Sequence, residues 1–462
     1  MQPPTRKNLN PHHVRHKSKI HQNSPMNWKN TSMDFEKFVD NIFSTISYIK
    51  FWKKYSSLTF SKNIINICLN ISLLTLSSLL VMSETIDIYN SYDLTSFAAH
   101  LNPVLFHSHG LFKWIFLIMN MNDIEDILLK MKRCHRYCLK YNENEEELYQ
   151  YNLQIIKFRH KVMKFAHIWT FIVLWGVIQW CINPVIYDCY NIYILKIENT
   201  NYTRNLPYPG IYPWTIDSNY KYMMTFAFQL TSALTTSIEM ATSDVLSVIF
   251  FSNISFNIKL LNDALIKEKG LLLSLRLSDS DLAIKKFKKK LRNCLIHHQE
   301  ILEFVYKLQS VSSYPIFLLC FDSTVALCLL SLEATTMEIN SSIECIMKLM
   351  STAEYWSGTA GELFLFSFLA TNLEELGLET ADAIYSCSWE TSMVNHKGEF
   401  SGEHRHITVE INQMINFSLM RAQKPIIFNG GLFYIISLPT FKAITGFALS
   451  NAIVLGQLSG ET

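Results

Sequence analysis

Seven stretches of the chain stay mostly apolar for about 20 residues, the length a helix needs to cross the roughly 30 Å hydrocarbon layer of a bilayer. They lie at about 64–82, 97–121, 165–186, from 222 beyond 244, 311–332, 349–373 and 438–458. The first is dotted with Ser and Asn but uncharged, and the third is the clearest. The second carries Asn102-Pro103, a step that kinks a helix but is tolerated where neighbouring helices satisfy the freed carbonyl. Several stretches are too long for one crossing. From Tyr222 to about Ile266 a helix would reach roughly 65 Å, twice the hydrocarbon thickness, and 282–332 has the same excess. The pattern predicts helices that leave the membrane and pack beside it as a bundle.

Between the spans, Lys and Arg alternate between dense and sparse. Residues 1–62 hold eleven, 83–96 none, 121–164 nine, 190–218 two, 257–296 ten, 333–348 one and 374–424 four. The positive-inside rule therefore predicts a cytosolic N-terminus and, after seven spans, an extracellular C-terminus. This is the reverse of a G-protein-coupled receptor. Asn183-Pro184-Val185-Ile186-Tyr187 matches the NPxxY pattern of those receptors, but it falls at the outer end of the third span and is read as coincidence. Residues 1–60 have basic residues and no apolar stretch behind them, so the first span is expected to act as the insertion signal. His12, His13, His16 and His21 stand among Lys, Asn and Pro; a solvated tail explains them better than a metal site.

Composition narrows the class. Only 17% of residues are charged, too few to cover one or two soluble cores, and mean hydropathy is slightly positive at +0.11. Sparse Gly (14) and Pro (12) disfavour loop-rich β architectures. The net charge of +2 gives no bulk attraction to nucleic acid, and the basic run at 285–292 reads as a solvated face near anionic headgroups. The ten Cys show no repeated metal-ligand spacing. Cys134 and Cys138 fall in a reducing compartment as free thiols, whereas Cys181, Cys189 and Cys345 fall outside, where a disulfide and free thiols are both open.

Catalytic patterns such as GxSxG, HExxH or a P-loop are absent, so no enzyme, cofactor or metal is expected. His404 and His406 flank Arg405 in a polar loop and read as surface. Acidic residues inside spans are costly and therefore candidates for function: Asp322 in the fifth, Glu354 and Glu362 in the sixth. Structural pairing is the commoner use of such groups. Glu239 and Asp244, about 20 residues into the fourth helix, are expected at the cytosolic interface with no special role. Of the Asn-x-Ser/Thr sequons, Asn201 lies in a predicted outer loop and is the usable glycosylation site; Asn30, Asn70, Asn253 and Asn416 fall in the cytosol, in a span or beside one, and Asn340 lies outside but close to the membrane.

The last ninety residues carry a specific signal. Leu376-Gly377-Leu378-Glu379-Thr380-Ala381-Asp382-Ala383-Ile384-Tyr385 is followed by Trp389, then by Arg421-Ala422-Gln423-Lys424-Pro425, Ser437-Leu438-Pro439-Thr440-Phe441 and the ending Val454-Leu455-Gly456-Gln457-Leu458. This resembles the insect odorant receptor family: its Ala-x-Tyr-x-x-x-Trp block, its Gln-x-Pro stretch and its short terminal helix ending in Leu-x-Gln-Leu. The resemblance implies an all-α membrane protein with seven transmembrane helices and helices extended into a cytosolic anchor bundle. It implies four subunits around a central pore, conducting monovalent and divalent cations when a small volatile organic ligand binds, with no nucleic acid partner. It further implies a heterotetramer with a co-receptor subunit in the plasma membrane of an olfactory dendrite. The co-receptor of that family has a long insertion between its fourth and fifth helices. Here that connection, 257–296, is short, which points to a ligand-tuning subunit.

On this reading the chain divides into a cytosolic tail (1–60), six transmembrane helices holding an outer-half ligand pocket (61–373), a cytosolic anchor segment (374–437) and a pore-lining terminal helix (438–462). Gly430-Gly431 is expected to break the chain ahead of that helix, leaving Lys442 to snorkel at the interface. By the resemblance, the pocket draws on the second, third, fourth and sixth helices. The candidates are Phe106, Gly176, Gln179, Trp180, Met224 and Phe228, each with ordinary bundle packing as the alternative. Tyr385 and Trp389, four apart on one helical face, are the assembly candidates, with packing inside one subunit as the alternative. Ser450, Val454 and Leu458 form one stripe of the terminal helix, with Gln457 beside it, and are the pore and gate candidates; lipid-facing packing is the alternative. Two other functions compete: a gustatory receptor of the same superfamily, which the Gln-Lys-Pro and Leu-Gly-Gln-Leu ending fits less well, and a secondary transporter. Transporters show related halves; no such likeness is evident between 61–195 and 311–458.

Overall fold

The long apolar runs fold as long single helices, because a backbone in hydrocarbon satisfies its polar groups only within such an element. The computed structural model describes residues 37–39, 42, 60–90, 94–141, 145–194, 204–275, 280–337, 342–390 and 402–460. Along them run α1 (Phe60–Asp87), α2 (Leu94–Met119), α3 (Met121–Tyr141), α4 (Glu145–Cys189), α5 (Asn219–Leu275), α6 (Ser280–Thr336), α7 (Ile343–Tyr385), α8 (Gly402–Ala422) and α9 (Leu438–Gly460). A two-stranded hairpin, β1 (Asn429–Gly430) and β2 (Tyr434–Ile435), stands between α8 and α9. At 57 residues each, α5 and α6 are about 85 Å long and extend far beyond a bilayer.

Among the described residues, four helices are apolar and long enough to cross a membrane by length and composition alone: Ile67–Asp87, Glu145–Ile192, Asn219–Lys267 and Leu282–Thr336. The second and sixth spans of the sequence reading fall short of that measure because α2 carries His100, His107, His109 and Lys113, and α7 carries several Glu residues. Where these polar groups go determines the site described below. Burial assigns the helices their places. Only 17% of the apolar window of α4 is buried against 61% of that of α5, so α4 is peripheral, exposing Phe171 and Trp175, and α5 is central.

The larger core lies where α3, α5 and α6 run together past the membrane span, packing Ile127, Leu128, Met131, Phe251, Ile254, Phe287 and Phe304. The α3 helix is amphipathic and turns off α2 at Asn120, whose side chain and backbone both bond Phe116 O. A smaller cluster of Leu80, Val177, Cys181, Tyr208 and Ala233 closes the opposite end, beneath the loop at 204–218. At Gly110 α2 crosses α5 so closely that a Cβ would stand 2.7 Å from Thr236 O. The hairpin at Gly430-Gly431 seats on α6, where a Cβ on Gly430 would meet Ile316, and Gly431 takes φ +61. Both positions need glycine.

Two expectations are corrected here. Tyr385 and Trp389 do not share a helical face. The α7 helix stops at Tyr385, capped by Ser386, and Ser388 takes φ 63; Trp389 then packs on its own subunit's core while Tyr385 is exposed. Glu239 and Asp244, expected to need no special role, are buried among helices, and Asp244 pairs with Lys113. Where the sequence leaves a disulfide and free thiols both open, at Cys181, Cys189 and Cys345, the structure has free thiols, as it has at the other seven Cys.

Candidate functional site

A cavity of about 360 Å³ lies between α2, α4, α5 and α7. Its walls are aromatic. Trp180 stacks parallel to Tyr208 at 6.3 Å and meets Tyr355 edge-on at 6.4 Å, and Phe106 meets Tyr355 edge-on at 5.8 Å. The polar tips of these rings are already used: Trp180 Nε1 donates to Pro207 O at 3.0 Å and Tyr355 OH to Asn102 O at 3.1 Å. The rings are thereby fixed and present their faces to the cavity. Gln229 pins the loop that closes this end, donating to Tyr208 O at 2.7 Å and accepting from Tyr208 N at 3.2 Å. On α7, Gly358 and Gly361 leave open space where a side chain would stand.

Beneath the aromatic wall lies a buried polar network that ties four helices together. Lys113 of α2 bonds Asp244 of α5 at 2.6 Å and pairs with Glu362 of α7, which also lines the cavity. His109 bonds Asp322 of α6 at 2.6 Å and approaches Glu362 at 3.7 Å. Trp169 Nε1 donates to the second Asp244 oxygen at 3.2 Å. Nearby, His107 and Glu84, both wholly buried, bond at 3.0 Å, and Ser77 donates to Glu239 at 3.2 Å. Charges at this depth persist because each has a partner. Apart from Glu354, every carboxylate in this region is accounted for by a named donor.

Of the residues singled out from the sequence, the structure brings Phe106, Gly176 and Trp180 to the cavity. Gln179, Met224 and Phe228 do not line it. Gln179 bonds Asn183 at 3.4 Å one turn on, Met224 is exposed on α5, and Phe228 turns to Tyr212 of the loop, edge-on at 6.1 Å. Asp322 and Glu362 both line a small adjoining cleft and belong to the network. Ser450 and Val454 lie on the exposed face of α9, opposite a buried stripe of Ile444, Ala448 and Ala452 that packs on α6 and α7. The backbone at Gln457 and Leu458 is helical; their side chains, and Asn201 altogether, fall outside the described residues. Sequence reasoning missed His107, His109 and Lys113. The signal was available: three basic-type side chains in one span, with unpaired acids in three others.

A family model for the 7tm odorant receptors matches residues 93–449. The chain is 25% identical over 162 residues to the odorant receptor coreceptors of Ooceraea biroi and Harpegnathos saltator, a stretch covering 35% of this chain and 30% and 29% of theirs. The match therefore spans less than a third of those relatives. In three dimensions the chain is similar to the insect olfactory receptor OR5 from Machilis hrabei, alone and in complex with eugenol. The TM-score is 0.68 in both cases, with 16% and 17% identity, covering 92% of this chain and 99% of that one. Those identities establish a shared helical membrane fold, and the family model spans most of the sequence. The chain belongs to the 7tm odorant receptor family.

Proposed function

We propose that this chain is the ligand-binding subunit of a cation channel that opens when a small volatile molecule enters the cavity between α2, α4, α5 and α7. The observation that carries the reading is the cavity itself: about 360 Å³, walled by fixed aromatic rings and resting on a charge network that joins four helices. A volume in this range suits a small organic ligand. A solved receptor of the same fold holds eugenol, itself a compact aromatic. The channel works as a heterotetramer with a co-receptor in the plasma membrane of olfactory dendrites, N-terminus inside, passing monovalent and divalent cations. Only residues 276–279 separate α5 from α6, which favours the ligand-tuning role over that of the co-receptor. In this arrangement α9 lines the pore and Val454 belongs to its gate.

Whole-cell recording with a panel of volatiles tests the proposal. Ligand-evoked current is expected with the co-receptor and this chain together, and little with this chain alone. Voltage steps should give a reversal potential set by cation gradients; flux that saturates like a carrier and depends on a coupling ion would overturn the channel reading.

A further inference from the structure

Glu354 is the one cavity carboxylate that the network leaves over. It lines the cavity from α7, and its Oε1 lies over Gly176, 3.4 Å from where a Cβ would be. A larger residue at 176 would occupy the space into which this oxygen points. The Glu354 carboxylate has no hydrogen-bond or ion-pair partner among the described residues. The cavity's neighbouring cation cannot serve it, because Lys113 already bonds Asp244 and Glu362. Of the other buried acids, Glu362 lines the cavity and Asp322 lines the cleft beside it, and both are taken up by Lys113 and the His109 imidazole. The same cavity is lined by the rings of Phe106, Trp180 and Tyr355, and the polar tips of Trp180 and Tyr355 are tied elsewhere.

We infer that the cavity selects a small aromatic or aliphatic amine, whose ammonium bonds Glu354 and whose carbon skeleton lies against the rings of Phe106, Trp180 and Tyr355. The inference rests on the proposed ligand site and goes beyond it by naming the chemical class. Three physical terms favour an ammonium here. An N⁺–H···O⁻ bond is stronger than a neutral one. A cation near the face of Trp or Tyr is attracted by the ring quadrupole. The half-buried setting of Glu354 also makes its attraction for a cation stronger than it would be in open water. A neutral alcohol of the same shape keeps the apolar contacts and loses the first two.

The test compares an isosteric pair, 2-phenylethylamine and 2-phenylethanol, by titration calorimetry on the purified full chain in lipid nanodiscs at neutral pH, where the amine is protonated. The amine is expected to bind roughly 10- to 100-fold more tightly, the span of a hydrogen bond to a charged group. Glu354→Gln should remove that preference, and Glu354→Asp should restore part of it. Equal affinities in the wild-type chain overturn the inference, and so does an amine preference that survives Glu354→Gln. The wild-type comparison decides even if the variants do not fold. Because binding is read without current, amine binding that opens no channel with the co-receptor would leave this inference standing and refute the channel reading.

Discussion

Lys113 is a single cation held by carboxylates from two other helices, in a setting where none of the three can turn to water. Removing one partner of such a group leaves an uncompensated buried charge, which costs roughly 3–5 kcal/mol. Lys113→Met should therefore sharply lower the thermal stability of the purified protein in detergent, and adding Glu362→Gln should recover part of the loss. Gly110 is a steric counterpart. With Thr236 O at 2.7 Å from the position of a new Cβ, Gly110→Ala must push α2 off α5 at an expected cost of about 1–3 kcal/mol, read as a lower melting temperature. Single residues are also where the sequence was least transparent. Phe106, Gly176 and Trp180 were legible through the family's pattern, whereas Gln179, Met224 and Phe228 depended on helix rotation, which spacing alone does not fix. Lys113 and His109 were hidden for a different reason: a scan for apolar runs averages a lone charge into its hydrophobic neighbours, and its partners lie up to 249 residues away.

Among elements, α3 depends on a neutral histidine. His135 is buried and bonds Tyr151 OH at 2.5 Å. Burial first, and the Arg136 charge second, lower its pKa from 6.5 to about 4. In the unfolded chain the ring takes up a proton near 6.5, so between those values the unfolded state binds more protons. Stability is thus present above pH 6.5 and lost as pH falls towards 4. From pH 7.5 to 5.5 the wild type should lose about 1 kcal/mol more than His135→Gln, measurable by thermal melts at the two pH values. The terminal helix supports another expectation. Val454 is 54% exposed in the single chain, on the face opposite the Ile444–Ala448–Ala452 stripe. If that face meets the pore axis, Val454→Ser should raise ligand-independent current when expressed with the co-receptor. Normal surface expression with unchanged basal current and ion selectivity would place the residue against lipid. The helices that carry the apolar stretches were readable from apolar length; α3 and α8, polar on average, were not. The end of α7 was not, because Ser386 caps it without a Gly or Pro to announce the stop, and the Tyr385–Trp389 spacing was therefore misread as one face.

At the scale of the whole molecule, the alternation of connections rich and poor in Lys and Arg predicts a topology from charge and needs no side-chain detail. It leads to a direct test. An epitope tag at the N-terminus should stain only after permeabilisation and one at the C-terminus without it; the opposite result would invert every assignment of side. Trp389 adds a prediction on assembly. Since it packs on its own subunit's core beside Cys387, Trp389→Ala should lower the melting temperature of the isolated chain as well as its yield with the co-receptor. Loss of co-purification at an unchanged melting temperature would instead assign it to the subunit contact.

The hairpin before α9 has a mechanical consequence. Gly431 N bonds Ser313 O at 3.1 Å and Ser313 Oγ at 3.2 Å, while Gly430 presses on Ile316 and Phe317. Between those two grips lies Pro315, where α6 has no amide to close its ladder. The hairpin therefore works as a splint across the weakest joint of the helix. Less than two turns beyond that joint, the same helix carries Asp322, bonded to His109. Because the hairpin leads directly into α9, a flexure of α6 at Pro315 would reach the root of α9 through this short strut and need not cross the span of the protein.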